Sequence, residues 1–172
     1  MASYCRFCRE RPEGDVHRVY HDNVYGARLD DDDELFGRLL LEINQAGLSW
    51  ETILKKEKNF RRAYEGFSVS RVATFGDRDK ARLMADAGII RNRLKIEAAI
   101  TNAQRILAIQ TEFGSFAAWI DRHHPRPLAD WVRLFKQTFR FTGGQIVNEF
   151  LLSTGYLGGA HDDDCPCLTR VD

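Results

Sequence analysis

An all-α fold is what this sequence predicts, and three observations carry it. Apolar residues recur at spacings of three and four through most of the chain, the period of one helix face. Cap-forming residues stand where those stretches begin and glycines where several of them end, as helix termini favour. No segment shows the two-residue alternation of a half-buried strand.

The elements run in order along the chain. After the acidic run Asp30 to Glu34, the residues Leu35, Phe36, Leu39, Leu40 and Ile43 share one face of a helix that runs to about Ala46 and is ended by Gly47. Ser49 suits the N-cap of a second helix with Ile53, Leu54, Phe60 and Tyr64 as its stripe, and a break before Asn59 is allowed. Ser68 and Asp77 read as caps of two short helices. A helix through Leu83 and Met84 should stop at Gly88, and a longer one resumes near Asn92 with Ile96, Ile100, Ala103 and Leu107 in register. Further helices are expected around Phe116 to His123, Ala129 to Phe139 and Gln145 to Thr154.

The turn Gly88-Ile89-Ile90-Arg91-Asn92-Arg93 has the chemistry of a helix-hairpin-helix element. A glycine ends one helix, two branched residues can tuck inward, and backbone amides at the next helix start can cradle a phosphate. Many helix pairs join through a Gly-led turn, so the spacing alone leaves this open.

Length and composition bound the rest. A chain of 172 residues without internal repeat or Pro/Gly linker predicts one domain over 1–172. No apolar run reaches the about eighteen residues of a membrane span, and Met1 to Glu10 lacks the apolar stretch of a secretory signal; no membrane partner and a cytoplasmic location are expected. Lysines plus arginines total 25, as do the acids, so a strongly basic chain is excluded. Locally, Lys55 to Arg62 carries five basic residues against one acid, and Arg91, Arg93 and Lys95 crowd the hairpin with none; such runs fit a solvated helix face or a nucleic-acid surface. No oligomer signature appears, and a monomer is expected.

The four cysteines stand at the chain ends, Cys5 and Cys8 at one and Cys165 and Cys167 at the other, a pattern that suggests metal more than disulfide in a reducing compartment. Cys8, His21, His161 and Cys165 can form a tetrahedral site of two thiolates and two imidazoles, for which zinc is the natural occupant. An all-cysteine site, or no metal, are the competing possibilities. With four protein ligands either site is structural, joining the two termini.

Two stretches, Tyr20-His21-Asp22-Asn23-Val24-Tyr25-Gly26 and Glu42-Ile43-Asn44-Gln45-Ala46-Gly47-Leu48-Ser49-Trp50, closely resemble the signature segments of the 3-methyladenine DNA glycosylase I family. Asp86 to Arg91 resembles that family's hairpin, Phe139-Arg140-Phe141-Thr142-Gly143 its late turn, and His161 with Cys165 its C-terminal zinc pair. The resemblance implies one structural zinc on Cys8, His21, His161 and Cys165, with Cys5 and Cys167 as bystanders. It implies a base pocket in which Glu42 is the deciding residue, lined by Tyr20 and Trp50 with Tyr25 and His17. It implies that Gly88, Ile89, Ile90, Arg91, Arg93 and Lys95 grip the backbone of double-stranded DNA carrying an alkylated purine.

These implied roles make chemical sense. An enzyme that works on a base must take it out of the stack, and aromatic faces receive a flat ring. N3-alkylated adenine is cationic, so a buried carboxylate favours it over neutral adenine. The cation already leaves readily, so hydrolysis of the N-glycosidic bond needs mainly positioning, electrostatics and a water. No lysine is placed for strand cleavage; Lys95 reads as solvated or phosphate-bound, and a monofunctional enzyme is expected.

Several positions depart from the pattern. Tyr25 stands where tryptophan is usual, Val24 where an acid is common, and His17 where a pocket tyrosine often lies. Thr142-Gly143-Gly144-Gln145 lacks a frequent proline, Asn148-Glu149 replaces a tyrosine-containing stretch, and Gly159-Ala160 replaces the usual pair before His161. These changes cluster at the expected pocket. They leave two alternatives: a relative for other or bulkier N3-alkyl purines, and a non-catalytic zinc-containing module that binds damaged DNA.

Overall fold

The computed structural model describes residues 2–167 and, among them, contains helices and no strand. Ten α-helices succeed one another: α1 (Tyr4–Arg9), α2 (Val16–Asn23), α3 (Asp32–Gln45), α4 (Trp50–Ala63), α5 (Val69–Val72), α6 (Asp77–Ala85), α7 (Arg93–Phe113), α8 (Phe116–His123), α9 (Leu128–Thr138) and α10 (Gly144–Ser153), with a 3-10 turn over Glu65–Phe67. The all-α expectation holds.

At the centre lies α3, which packs against α4, α7, α8 and α10. Its stripe Leu35, Phe36, Leu39, Leu40 and Ile43 is almost wholly buried. The acid run before it is structural rather than merely solvated. Asp31 caps α3 by accepting from the Glu34 amide at 2.9 Å, and Asp32 to Glu34 place negative charge at the positive end of the helix. The Asp32 carboxylate also accepts from the Phe116 and Ala117 amides at 2.9 and 3.1 Å, so one acid ties down the start of α8 as well.

The end of α3 sets the path into α4. Gly47 adopts φ +82° just past the helix, a left-handed conformation that glycine takes without steric cost. Ser49 then caps α4 through its hydroxyl and the Thr52 amide. Between the two helices the chain makes a short exposed turn over Ala46, Gly47 and Leu48.

Some boundaries differ from expectation. The second helix runs unbroken through Asn59, whose amide side chain reaches across to the Gly88 carbonyl at 3.1 Å. Gly76, not Asp77, occupies the N-cap of α6, and the Asp79 carboxylate accepts from the Gly76 amide at 3.1 Å. α6 ends at Ala85 rather than at Gly88, because the Asp86 carboxylate accepts from the Gly88 amide at 2.8 Å and turns the chain early. Periodicity anticipates neither α1 nor α2. Each is short and opens on a side-chain cap, Ser3 and Asp15 respectively.

The two ends of the chain meet. Arg9 forms a forked pair with Asp164, both distances 3.2 Å, and Ser3 donates to Asp162. Among the described residues no helix is long and apolar enough to cross a membrane.

Candidate functional site

Two neighbouring features carry chemistry, a cavity between α3 and α10 and a cysteine–histidine knot where the termini join.

The cavity has two lobes. One, of about 250 Å³, is lined by the rings of Tyr4, Tyr20, Tyr25 and Trp50. The other, of about 370 Å³, is bounded by Ala46, Gly47 and Leu48 on one side and by Gly143, Gly144 and Ile146 on the other. Glu42, Gln45, Gln145 and Glu149 line both lobes. Helical spacing explains that shared wall: Glu42 and Gln45 are three apart on α3, Gln145 and Glu149 four apart on α10, and each pair shares a helix face.

In the first lobe Tyr20 and Trp50 lie with centroids 5.5 Å apart at 64°, and Tyr20 and Tyr25 at 5.8 Å and 47°. Glu42 is only 4% exposed. Burial pushes its carboxyl up to about 8, against the pull of the Arg38 guanidinium and with a further push from Glu149. Arg38 is itself buried, donating to the Tyr20 hydroxyl at 3.1 Å and to the Ser153 carbonyl at 3.4 Å. An apolar-walled slot with an acid at its base suits a flat, polar-edged and preferably cationic ligand.

The four atoms of the knot belong to Cys5, His21, His161 and Cys165, all buried and all within 4.8 Å of one another. His161 Nδ1 lies 3.5 Å from each of the Cys5 and Cys165 sulfurs, and His21 Nε2 lies 3.8 Å from Cys165 Sγ. For typical Zn–S and Zn–N bonds a tetrahedron sets sulfur and nitrogen about 3.5 Å apart, so these residues fit a small tetrahedral ion. The outward nitrogens agree. His161 Nε2 donates to the Tyr25 carbonyl at 2.7 Å, and His21 Nδ1 to Asp22 Oδ1 at 2.8 Å, which leaves the inward nitrogens unprotonated to act as ligands. The Asp162 amide donates to Cys5 Sγ at 3.3 Å, a contact that suits a thiolate acceptor.

This corrects the ligand set expected from sequence. Cys5, not Cys8, brings its sulfur to the other three, because α1 turns the Cys8 thiol away to donate to the His17 carbonyl at 3.6 Å. Cys8 is fully buried but outside the knot. Cys167 is no remote bystander either, since it groups with Asp22 and His21 beside the knot. The all-cysteine alternative is not assembled.

Other expected site residues divide likewise. Tyr20, Tyr25, Trp50 and Glu42 converge on the cavity. His17 does not line it: it is buried behind Tyr4, whose hydroxyl lies 3.0 Å from His17 Nδ1. Tyr4 takes the place at the cavity wall, and sequence reasoning misses it because the short α1 leaves no periodic signal. Gln45, Gln145 and Glu149 are likewise missed as site residues, although their spacing from Glu42 and across α10 is there to be read.

In the hairpin between α6 and α7, Ile89 is buried, and Gly88 and Ile89 both spend their amides on Asp86 within the turn. Arg91 and Arg93 are exposed. Lys95 is not available to a phosphate, a second correction. Its side chain is buried and its Nζ donates to the Asn44 and Ala46 carbonyls at 2.9 and 2.7 Å. It satisfies the C-terminal carbonyls of α3 and fixes the turn that walls the cavity.

Knot and cavity share a wall. Tyr25 accepts from His161 through its carbonyl and presents its ring to the cavity, while Tyr20 precedes the knot residue His21. Gly26 permits this approach: at φ +81°, a Cβ there would stand 2.9 Å from the His161 ring.

The sequence matches the methyladenine glycosylase family model over residues 11–133. It is 35% identical over 171 residues to the DNA-3-methyladenine glycosylase 1 of Escherichia coli strain K12, spanning 88% of this chain and 91% of that protein. It is 32% identical over 178 residues to the DNA-3-methyladenine glycosylase of Haemophilus influenzae, spanning 91% of this chain and 95% of that protein. Among solved structures it is similar to a tyrosine-to-phenylalanine variant of 3-methyladenine DNA glycosylase I in complex with 3-methyladenine, with a TM-score of 0.85, 33% identity, and 95% and 96% of the two chains covered. The Staphylococcus aureus 3-methyladenine DNA glycosylase I is comparably similar, with a TM-score of 0.84, 32% identity, and 96% and 97% covered. Fold and sequence agree, and the chain belongs to the methyladenine glycosylase family.

Proposed function

We propose that the protein is a monofunctional glycosylase that flips an N3-alkylated adenine out of double-stranded DNA and hydrolyses its N-glycosidic bond, leaving an unbroken abasic strand for base excision repair. The observation that carries this is the buried Glu42 carboxyl at the base of a cavity walled by Tyr20, Tyr25 and Trp50.

Electrostatics supplies the selectivity. With its carboxyl pushed up to about 8, Glu42 holds a proton in the empty cavity at neutral pH. A cationic base entering the slot favours the ionised carboxylate, which then accepts from the amino edge; neutral adenine offers no such gain. The same group stabilises the separated charge as the bond breaks, since the positive charge moves from the ring toward the sugar within its field. Tyr20 and Trp50 hold the ring by stacking and edge contacts. Arg91 and Arg93 at the hairpin contact DNA phosphates, and the protein acts in the cytoplasm as a single-domain monomer.

Zinc is the ion we assign to Cys5, His21, His161 and Cys165. Two sulfurs and two imidazole nitrogens form a closed donor set for this metal. With all four positions taken by the chain, its role is to bind the termini together and to hold Tyr25 and Tyr20 at the cavity.

The test is release of base from methylated duplex DNA, read by chromatography. Wild type should free 3-methyladenine and leave strands intact. Glu42→Gln keeps size but removes charge, and should cut release by about tenfold or more, corresponding to at least roughly 1.4 kcal/mol of transition-state stabilisation. No release by wild type from methylated or ethylated DNA overturns the enzymatic proposal in favour of a damage-binding module. Release from ethylated DNA alone moves the substrate to bulkier alkyl purines, for which the smaller ring at Tyr25 leaves room.

A further inference from the structure

The cavity holds a second carboxylate that the proposed excision leaves without a role. Glu149 lies on α10 within the wall shared by both lobes, facing the same space as Glu42. It stands outside the residues 11–133 matched by the family model. It is half-buried, and among the described residues no hydrogen bond to the protein is found for it. A half-buried carboxylate with no protein partner is left to be completed by water or by a ligand in the cavity.

Its position gives it work. With the base in the aromatic lobe, as proposed, the adjoining glycine-walled lobe is the space left for its deoxyribose, which sets the bond to be broken beside the shared wall. Four side chains form that wall, and of these only Glu42 and Glu149 can take a proton. Glu42 is engaged with the base. We infer that Glu149 is a catalytic residue that orients the water attacking the sugar carbon and receives its proton. The inference rests on the proposed excision.

The step balances. Water oxygen forms a bond to the sugar carbon as the carbon–nitrogen bond breaks, and the electron pair of that bond passes to the ring and neutralises its positive charge. The water proton passes to the Glu149 carboxylate and then to solvent. The products are a neutral alkylated base and an abasic hydroxyl.

Two carboxyls sharing a space divide the labour by burial. Glu42 is nearly sealed, holds its proton in the empty cavity and ionises only against the bound cationic base, whereas Glu149 is more open and is pushed up by its burial alone. Charged and titratable neighbours around the pair are Arg38 on α3 and Tyr4, Tyr20 and Tyr25 on the facing wall. A base must be ionised to act, so the rate should fall as the solution is acidified through the Glu149 titration.

Single-turnover excision from methylated duplex DNA across pH, beside the affinity for free 3-methyladenine, tests this. Glu149→Gln should lower the rate about tenfold or more, as loss of a general base does, and flatten the acid limb of the pH profile. Affinity for the free base should stay within about twofold, and Glu149→Asp should recover part of the rate. A rate for Glu149→Gln equal to wild type overturns the inference, as does an acid limb unchanged from wild type in midpoint and depth. So does a rate loss matched by an equal loss of base affinity, which would make Glu149 a binding group. Thermal melting of each variant confirms that the folded protein is compared. If wild type itself releases no base, the excision proposal fails; if wild type is active and Glu149→Gln equally so, only this inference fails.

Discussion

The knot at the joined termini and the cavity wall are both clusters of buried polar groups, and they are finished in opposite ways. In the knot every outward donor is answered: Tyr25 and Asp22 take the histidine protons, and the Asp162 amide meets Cys5. In the cavity Glu42 and Glu149 face open space with no hydrogen-bond partner among the described residues, and burial raises both carboxyls. A cluster that satisfies itself around one ion stabilises a fold. One that leaves charge-bearing groups unanswered waits for a ligand.

The sharpest way to break that contrast is to open the knot. Cys5→Ala removes a ligand and should abolish retained metal, with a loss on the order of 3 kcal/mol or more and a fall in Tm of about 10 °C. Cys8→Ala trims a buried thiol outside the knot, and should cost only about 1–2 kcal/mol of packing while leaving one ion per chain. Metal analysis by emission spectrometry beside thermal melting decides it. Equal metal loss in the two variants, or loss in Cys8→Ala alone, returns the ligand to Cys8.

The cavity should show the opposite behaviour, a wild-type group that burdens the fold. Glu42 has its carboxyl raised from the ordinary 4.5 to about 8 in the folded state. The native protein therefore binds this proton more tightly than the unfolded chain does. The resulting stability is complete below about pH 4.5 and is lost as pH rises through about 8. Glu42→Gln lacks this term, so denaturant unfolding should find it more stable than wild type above pH 8, by an amount on the order of a few kcal/mol, with the advantage shrinking toward acid. A difference that does not vary with pH removes the raised carboxyl.

What is legible in the sequence divides along the same line. The helices α3, α7, α8 and α10 are written in the spacing of their apolar residues, because each buries a continuous stripe. Helices α1 and α2 are not, although α2 matches α8 in length, since they bury Cys5, Cys8, His17, Tyr20 and His21 rather than an aliphatic stripe and are held by caps and the knot instead. Of the site, Glu42, Tyr20, Tyr25 and Trp50 can be named from motif segments. Cys5 cannot be separated from Cys8, because choosing between two cysteines three apart depends on how α1 is oriented. Lys95 misleads for a related reason: its neighbours Arg91 and Arg93 are exposed, yet one further step around α7 turns a side chain inward. His17 lies on α2 one turn before the ligand His21, which makes a pocket role plausible until Tyr4 is seen to stand in front of it.

That turn of the helix also sets the smallest effect expected. Arg91 and Arg93 reach solvent at the hairpin, and Arg93 is loosely paired with Glu97 at 3.1 Å on an otherwise exposed surface. If they meet phosphates, each contributes a counterion released on binding. Replacing both by glutamate should weaken binding of duplex DNA about tenfold whatever its sequence, and reduce the slope of log affinity against log salt by about one per residue. Lys95→Met supplies the contrast. It strips the Asn44 and Ala46 carbonyls of a charged donor and should lower Tm, but it takes no cation from the DNA surface, so the salt slope should stay at the wild-type value. Fluorescence anisotropy with a labelled duplex over a salt series separates the two. A slope that drops for Lys95→Met and not for the paired arginine variant would place the DNA against α7 rather than the hairpin, and would mean that the buried Lys95 swings out to meet it.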